Sequence, residues 1–226
     1  LIYVLFGKKI NLEQKMLINE SLSDSSTSKY ASGSSIKLVL NIFYLTVFMQ
    51  IIGVLLIYFL GDAKNIDNNH NSFFNSIFHS ISSFNGAGFD IMRDHNGGSI
   101  GSENANINLL YITSILVFIG SIGYPIILEF IHNFKLFFQS KFNKIFFSLN
   151  FKVVFFTTLF MIVFGTCQFL LAEWSNTNTL GKETFDNKIV FSLFHSLNRT
   201  SGFSLFDYNL IHNSTSITTM ILMLYV

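Results

Sequence analysis

Three long hydrophobic stretches without a charged residue divide the chain. They cover Leu38–Leu60, Ile107–Leu128 and Val153–Ala172. A helix rises about 1.5 Å per residue, so stretches of this length cross the roughly 30 Å hydrocarbon core of a bilayer. The pattern therefore predicts three transmembrane helices, the second with Pro125 near its end.

Two shorter apolar segments, Phe73–Phe84 and Ile189–Leu197, follow the first and third stretches. They are too short to cross a bilayer, and their length suits a helix that enters the membrane and turns back. A further apolar run extends from Ile217 to Val226. We therefore predict an all-α membrane protein, built from repeated units of span, re-entrant pore helix and span around a central ion pore.

The composition excludes several other classes. Half of the residues are hydrophobic and 12% are charged, whereas soluble domains average about 25% charged residues. A net charge of +1 without a Lys/Arg cluster gives no indication of nucleic-acid binding. The single cysteine, Cys167, lies in an apolar run, which excludes an internal disulfide and a cysteine-based zinc site. No nucleophile–base pair or nucleotide-binding fingerprint occurs, so we expect no enzyme, no cofactor and no bound metal other than a transported ion.

Lysine and arginine predict the orientation. Most of them lie in residues 8–37 and 129–152, which the positive-inside rule places in the cytoplasm. The stretches 61–106 and 173–216 would then lie outside. We expect an interior piece of a multi-pass plasma-membrane protein. Its parts are the end of a preceding membrane helix (1–6), a cytoplasmic linker (7–37), a pore repeat (38–128), a cytoplasmic loop (129–152) and a second pore repeat truncated in its last helix (153–226).

Two similar motifs carry the candidate chemistry. Phe78–Phe89 and Phe194–Phe203 both open with Phe-His-Ser and close with a small residue, Gly and Phe. Glycine permits positive φ and close backbone approach, and irregular backbone at membrane depth survives only when it is buried in protein or lines water. Such a run can turn carbonyl oxygens toward one axis, where they replace the hydration shell of a cation. The predicted filter residues are Asn85, Gly86, Ala87, Gly88, Thr200, Ser201 and Gly202.

The alternative interpretation of each motif is a plain extracellular turn. Its duplication at equivalent places favours a structural repeat of the kind found in transporters. For the two histidines, His79 and His195, we expect helix packing or a hydrogen bond to the pore wall, because no ligand set surrounds them in the sequence.

Two charged residues, one within the second motif and one directly after the first, are predicted to support the filter. Arg199 would bond carbonyl groups or an acid such as Asp207 or Asp90 and point away from the axis, since charges buried in membranes tend to be paired. The alternative is an exposed loop arginine. Asp90, together with Asp94, would form an acidic outer vestibule or a plain solvated loop.

These motifs resemble the Trk/Ktr/HKT superfamily of potassium transporters. The second filter of that family reads Phe-His-Ser-x-Ser-x-Phe-Asn-Asn-Ala-Gly-Phe, and Phe78–Phe89 matches it with Gly86 in place of the second Asn. The third filter reads Arg-Thr-Ala-Gly-Phe, and Arg199–Phe203 matches it with Ser in place of Ala. The stretches Phe118–Glu129 and Gly7–Glu13 are similar to two further segments of the family.

The resemblance implies four repeats around one pore, of which this chain would hold the second and most of the third. It implies that Gly88 and Gly202 are the filter glycines linked to a preference for potassium over sodium. It also implies a transported K⁺ or Na⁺ ion, the remaining repeats of the same polypeptide, a homodimer in the lipid bilayer, and a cytosolic nucleotide-binding regulatory subunit that contacts surfaces such as 8–37 and 129–152. Two departures stand out: Gly86 would loosen the side-chain support of its filter, and the second motif is one residue shorter before Arg199.

Three other functions stay open at this point. The chain could be a two-repeat cation channel subunit that dimerises to complete its pore, or a non-transporting membrane scaffold. An intramembrane enzyme that uses His79 and His195 is the third.

Overall fold

The computed structural model describes residues 35–61, 72–91, 106–139 and 146–224. Within these ranges the chain forms only helices and turns, which confirms the predicted all-α fold. The preceding helix end (1–6), most of the linker (7–37) and Asp94 lie outside the described residues. The helices are α1 (Ser35–Leu60), α2 (Ser72–Phe84), α3 (Ile107–Ile122), α4 (Tyr124–Phe138), α5 (Leu149–Glu173), α6 (Phe185–Leu197), a 3-10 helix (Tyr208–Leu210) and α7 (Asn213–Met223).

Helices α1 and α5 are long and apolar enough to cross a membrane, and they coincide with the first and third predicted spans. Large apolar side chains such as Phe48, Phe59, Phe156 and Phe160 are exposed along them. A soluble protein rarely exposes a continuous apolar surface of this kind, whereas lipid covers it without cost.

The second predicted span, Ile107–Leu128, is two helices rather than one. Helix α3 ends at Ile122 and α4 begins at Tyr124, while Gly123 between them has a φ of 91°. Residues with a Cβ rarely adopt this backbone, and Pro125 in the first turn of α4 lacks an N–H that would be unsatisfied there anyway. Taken together, α3 and α4 make a third candidate span by length and composition.

Residues 129–138, which belong to the predicted cytoplasmic loop 129–152, are helical and form part of α4. The carboxylate of buried Glu129 accepts hydrogen bonds from the backbone N–H and the hydroxyl of Ser148. The Asn133 side chain donates to Phe146 O at 2.9 Å. Because the Ser148 hydroxyl accepts from Phe151 N, these contacts join α4 to the capped start of α5.

The described residues divide into two compact units, those within 1–48 and 122–155 and those within 49–121 and 156–226. The core of the second unit is apolar and draws on its spans, on α6 and on the segment after α6. Its fully buried side chains include Ile57, Leu110, Phe169, Phe194, Phe203 and Leu205.

The two helices that precede the motifs, α2 and α6, have 13 residues each, or about 20 Å of length. Both are too short to cross the hydrocarbon core, as the sequence indicates. Helix α2 is unusual because its buried face is polar, while Phe73, Phe74 and Ile81 are exposed. The buried residues of α2 are Asn75, Ser76, His79, Ser80, Ser82 and Ser83.

Candidate selectivity filter

The first motif ends α2 with a well-defined turn. Ala87 N donates to Ser82 O at 2.9 Å, and Gly86 N donates to Ser83 O at 3.1 Å. Gly86 itself has a φ of 63°. This pair of bonds around a left-handed residue is the Schellman motif, in which glycine is the preferred residue and asparagine is the next choice.

The turn explains the departure of Gly86 from the resembling family. The position requires a left-handed backbone, and both Gly and Asn adopt it. A Cβ built on Gly86 meets no atom within 4 Å, so the requirement is conformational rather than steric. Glycine adopts this backbone without strain, which offsets the expected loss of side-chain support in the filter.

The second motif forms its turn around a side chain instead of a left-handed glycine. Asn198 lies at the C-cap of α6 and is buried. Its Nδ2 donates to Phe194 O at 2.9 Å, and its Oδ1 accepts from the Ser201 hydroxyl at 3.1 Å. The Ser201 backbone N–H also donates to Asn198 O at 3.0 Å. A side chain thus organises this shorter turn, a role that the sequence analysis missed although Asn is a frequent helix-ending residue.

The structure brings the glycines of the two motifs into direct backbone contact. A Cβ built on Gly88 would overlap the backbone N and Cα of Gly202, and a Cβ on Gly202 would lie 3.3 Å from Gly88 O. Gly88 also has a φ of 70°. Glycine is therefore required twice at Gly88, once by conformation and once by the approach of the second segment.

The other predicted filter residues lie around this contact. Asn85, Ala87 and Thr200 are exposed, whereas Ser201 is buried and held by its bonds to Asn198. The Asn85 side chain donates back to Ile81 O at 2.8 Å.

Arg199 lies within the second motif and bonds a carbonyl group, as one of our hypotheses states. Its Nη1 donates to Ser196 O at 3.3 Å, near the end of α6. The two acids considered as partners have other contacts. Asp207 caps the 3-10 helix by accepting from Asn209 N at 3.0 Å, and Asp90 lies 3.6 Å from a ring nitrogen of His79.

The two motif histidines have different surroundings. His79 Nε2 lies 2.9 Å from the Thr113 hydroxyl of α3, so a hydrogen bond to a neighbouring wall is present. The His195 ring instead stacks on Phe169 at 4.5 Å and on Phe206 at 5.5 Å. Among the residues that the structure describes, no group of three His, Cys, Asp or Glu could hold a metal ion.

The serine of each Phe-His-Ser fits against a glycine in the preceding span. The Ser80 hydroxyl donates to Gln50 O of α1 at 2.8 Å, and a Cβ on Gly53 would overlap that hydroxyl. A larger residue at position 53 would therefore push α2 away from α1.

The same arrangement recurs in the second repeat. The Ser196 hydroxyl donates to Ile162 O of α5 at 2.8 Å, and a Cβ on Gly165 would lie 2.6 Å from it. In both repeats the glycine follows the accepting carbonyl by three residues. We call these contacts the serine seats; the sequence analysis missed them, although the matched positions of Gly53 and Gly165 were a usable signal.

A buried carboxylate fastens the C-terminal end of α5. Glu173, the last residue of α5, accepts from the hydroxyls of Thr215 at 2.6 Å and Thr179 at 2.9 Å. It also accepts from Asn176 Nδ2 at 2.6 Å and from the backbone N–H of His212 at 2.9 Å. Because His212 and Thr215 lie at the start of α7, Glu173 ties α5 to α7.

Comparison with known proteins decides the family. The whole chain, residues 1–226, matches the family TrkH, described as "Cation transport protein". The chain belongs to the TrkH family. Members are transporters, so the expectation that the chain is not an enzyme is confirmed, as is the resemblance seen in its motifs.

Three individual proteins similar to this TrkH chain are named as uptake proteins. It is 27% identical to "Ktr system potassium uptake protein B" of Bacillus subtilis, over 99% of this chain and 46% of the relative. It is 30% identical to "Potassium/sodium uptake protein NtpJ" of Enterococcus hirae, over 99% of this chain and 45% of the relative. "Ktr system potassium uptake protein D" of B. subtilis is 28% identical over 57% of this chain and 26% of the relative. The chain spans about half the length of the first two relatives.

Proposed function

We propose that the protein to which this chain belongs transports cations, potassium in the first place, through a carbonyl-lined filter that both motifs help to form. The observation that carries the proposal is the backbone contact between Gly88 and Gly202, each at the end of a short helix of the same repeated design. Relatives named for potassium uptake and for potassium/sodium uptake support the choice of ion.

The short helices favour a cation at this place. Each glycine segment directly follows the C-terminal end of its helix, α2 or α6. A helix C-terminus carries a partial negative charge of about half an electron, which attracts a cation stripped of water. The carbonyl and side-chain oxygens of the filter then replace the lost hydration shell. The proposed ion-binding residues are Asn85, Gly86, Ala87, Gly88, Thr200, Ser201 and Gly202.

Arg199 and Asp90 would support the filter without binding the ion. Arg199 holds a carbonyl near the end of α6, and Asp90 lies at the end of the non-helical segment that starts after Gly86. The positive charge of Arg199 would then face the helix end rather than the ion path.

The remaining parts of the proposal concern assembly. Residues 38–128 and 153–226 would be two pore repeats in the plasma membrane, with further repeats of the same polypeptide completing the ring. A preceding helix end (1–6), a cytoplasmic linker (7–37) and a cytoplasmic segment (129–152) would flank them. A homodimer and a nucleotide-binding regulatory subunit would use the cytoplasmic surfaces.

Uptake of K⁺ and Na⁺ tests the function. The full-length protein is expressed in cells that lack their own potassium uptake, as wild type, Gly88→Ser and Gly202→Ser at matched membrane levels. We expect either variant to lower the K⁺ over Na⁺ preference at least about tenfold. A tenfold change corresponds to a penalty of about 1.4 kcal/mol for one ion over the other. Cys167→Ser places the same hydroxyl at an exposed position of α5 and serves as the control. Unchanged preference in both glycine variants would contradict the proposal.

A further inference from the structure

A buried asparagine connects the second glycine segment to two helices. Asn198 directly follows α6 and is 1% exposed. Its Nδ2 donates to Phe194 O at 2.9 Å and to the Ser114 hydroxyl of α3 at 3.4 Å. Its Oδ1 accepts from the Ser201 hydroxyl at 3.1 Å. One side-chain amide thus joins the end of α6, the middle of α3 and the glycine segment.

The partners of Asn198 determine the orientation of its amide. A backbone carbonyl oxygen such as Phe194 O can only accept, so the atom that faces it is the nitrogen Nδ2. The other atom of the amide is then the oxygen, which accepts the hydroxyl proton of Ser201. A rotation of the amide by 180° would lose both bonds, so the side chain has one favoured arrangement.

The hydroxyl of Ser201 is directed at Asn198. It lies 3.0 Å from Asn198 O and 3.1 Å from Asn198 Oδ1, so both acceptors of its single proton belong to the same residue. Ser201 is buried, whereas its neighbours Thr200 and Gly202 are exposed. Ser201 also stands where the family motif has alanine, which has no hydroxyl to donate. The serine therefore adds a tie to Asn198 from the buried side of the segment.

We propose that Asn198 is a positioning residue for ion selectivity, which fixes the second glycine segment to α6 and α3, and that the Ser201 hydroxyl serves this tie rather than the ion. This inference rests on the proposed function, to which Ser201 then contributes its backbone carbonyl. Filter carbonyls replace the hydration shell of the ion at close range. A segment that loses its fixed position should therefore discriminate less between K⁺ and Na⁺.

Helix α3 holds this segment next to its contact with the first motif. Ser114 bonds Asn198, and the preceding residue, Thr113, lies 2.9 Å from His79 Nε2 of α2. All four residues are buried. Successive residues of one helix thus contact both motifs, so the tie through Ser114 fixes the second segment relative to the first.

The first experiment measures the K⁺ over Na⁺ preference of full-length Asn198→Leu at matched membrane expression. Leucine has a similar volume but forms none of the side-chain bonds, so we expect the preference to fall about tenfold. Asn187→Leu is the matched control, because Asn187 lies near the start of α6 and donates to Glu183 at 3.1 Å. It should change the preference less than about twofold. Equal effects of the two exchanges, or no effect of Asn198→Leu, would overturn the inference.

A double-mutant cycle separates a tie to Asn198 from direct contact with the ion. Ser201→Ala should lower the preference about threefold in the wild type and by less than about 1.5-fold in Asn198→Leu, because the side-chain partner is already gone. A hydroxyl that binds the ion would be missed in both backgrounds. Equal losses in the two backgrounds would therefore overturn the role assigned to Ser201.

Ser114→Ala tests the tie to α3 while the bonds within the turn remain, so this variant does not depend on the folding of Asn198→Leu. We expect it to lower the preference about twofold. Ser121→Ala is its control, since the Ser121 hydroxyl bonds Phe118 O within α3, and should change nothing. The same preference in both variants would contradict the tie. Failure of the proposed function is distinct, because Gly88→Ser would then also leave ion preference unchanged.

Discussion

The serine seat of the second repeat gives a prediction whose size follows from the geometry. In Gly165→Ala, the new Cβ would lie 2.6 Å from Ser196 Oγ and 3.3 Å from Ser196 Cβ. The hydroxyl must move, which breaks its 2.8 Å hydrogen bond to Ile162 O. A lost hydrogen bond costs about 1 kcal/mol and an overpacked methyl group about 1–3 kcal/mol, so we expect a destabilisation of about 2–4 kcal/mol.

A second substitution should restore much of that stability. Ser196→Gly in the Gly165→Ala background removes the atoms that collide, so the double variant should be more stable than Gly165→Ala alone. The two sites touch, and a double-mutant cycle should show a coupling free energy of about 1–2 kcal/mol.

The assay is thermal unfolding of the full-length protein in detergent, followed by the fraction that remains monodisperse after heating. Val163→Ala is the control, because Val163 is exposed on the same helix. Gly165→Ala as stable as the wild type, or a double variant no better than the single one, would refute the account of the seat.

Two further predictions use the turn and the carboxylate. Gly86→Asn should retain stability, whereas Gly86→Ala should lose about 1–2 kcal/mol, because alanine is strained in the left-handed region and asparagine adopts it more readily. The same heating assay compares the two variants. Equal stability of both would show that the left-handed turn is not needed. Glu173→Gln should cost about 2–3 kcal/mol, since an amide cannot accept from all four donors around it. Glu183→Gln is its control, because the Glu183 carboxylate accepts a hydrogen bond from Asn187 Nδ2. If the Glu173→Gln and Glu183→Gln proteins unfold at the same temperature, Glu173 does not stabilise the protein by tying α5 to α7.

The sequence predicted the parts of the fold that hydrophobic length controls. Helices α1 and α5 lie where uncharged stretches are long enough to span, and α2 and α6 lie where they are too short. The break at Gly123 escaped this reasoning, because hydrophobicity continues through it while only the backbone changes direction.

The candidate site was partly predictable for a similar reason. A repeated motif identifies Gly88 and Gly202 as special residues, but their contact depends on two segments that are distant in the sequence. Gly53 and Gly165 lie at matched positions inside apolar helices, but only the structure shows the serine that packs on each of them. Glu173 is the last residue of a candidate span, a place where an acid would ordinarily be solvated. Its four hydrogen-bond donors include a residue as distant in the sequence as Thr215.

The polar buried face of α2 has a consequence for how the protein is made. A 13-residue segment that must bury Asn75, His79 and four serines gains nothing from lipid alone, because lipid offers these groups no hydrogen bonds. Thr113 of α3 and Gln50 O of α1 supply partners for His79 and Ser80. During synthesis the segment leaves the ribosome before Thr113 does, so its buried face obtains this partner only when the following helix is also in place. We therefore expect the spans of this unit to insert first and the short helix afterwards.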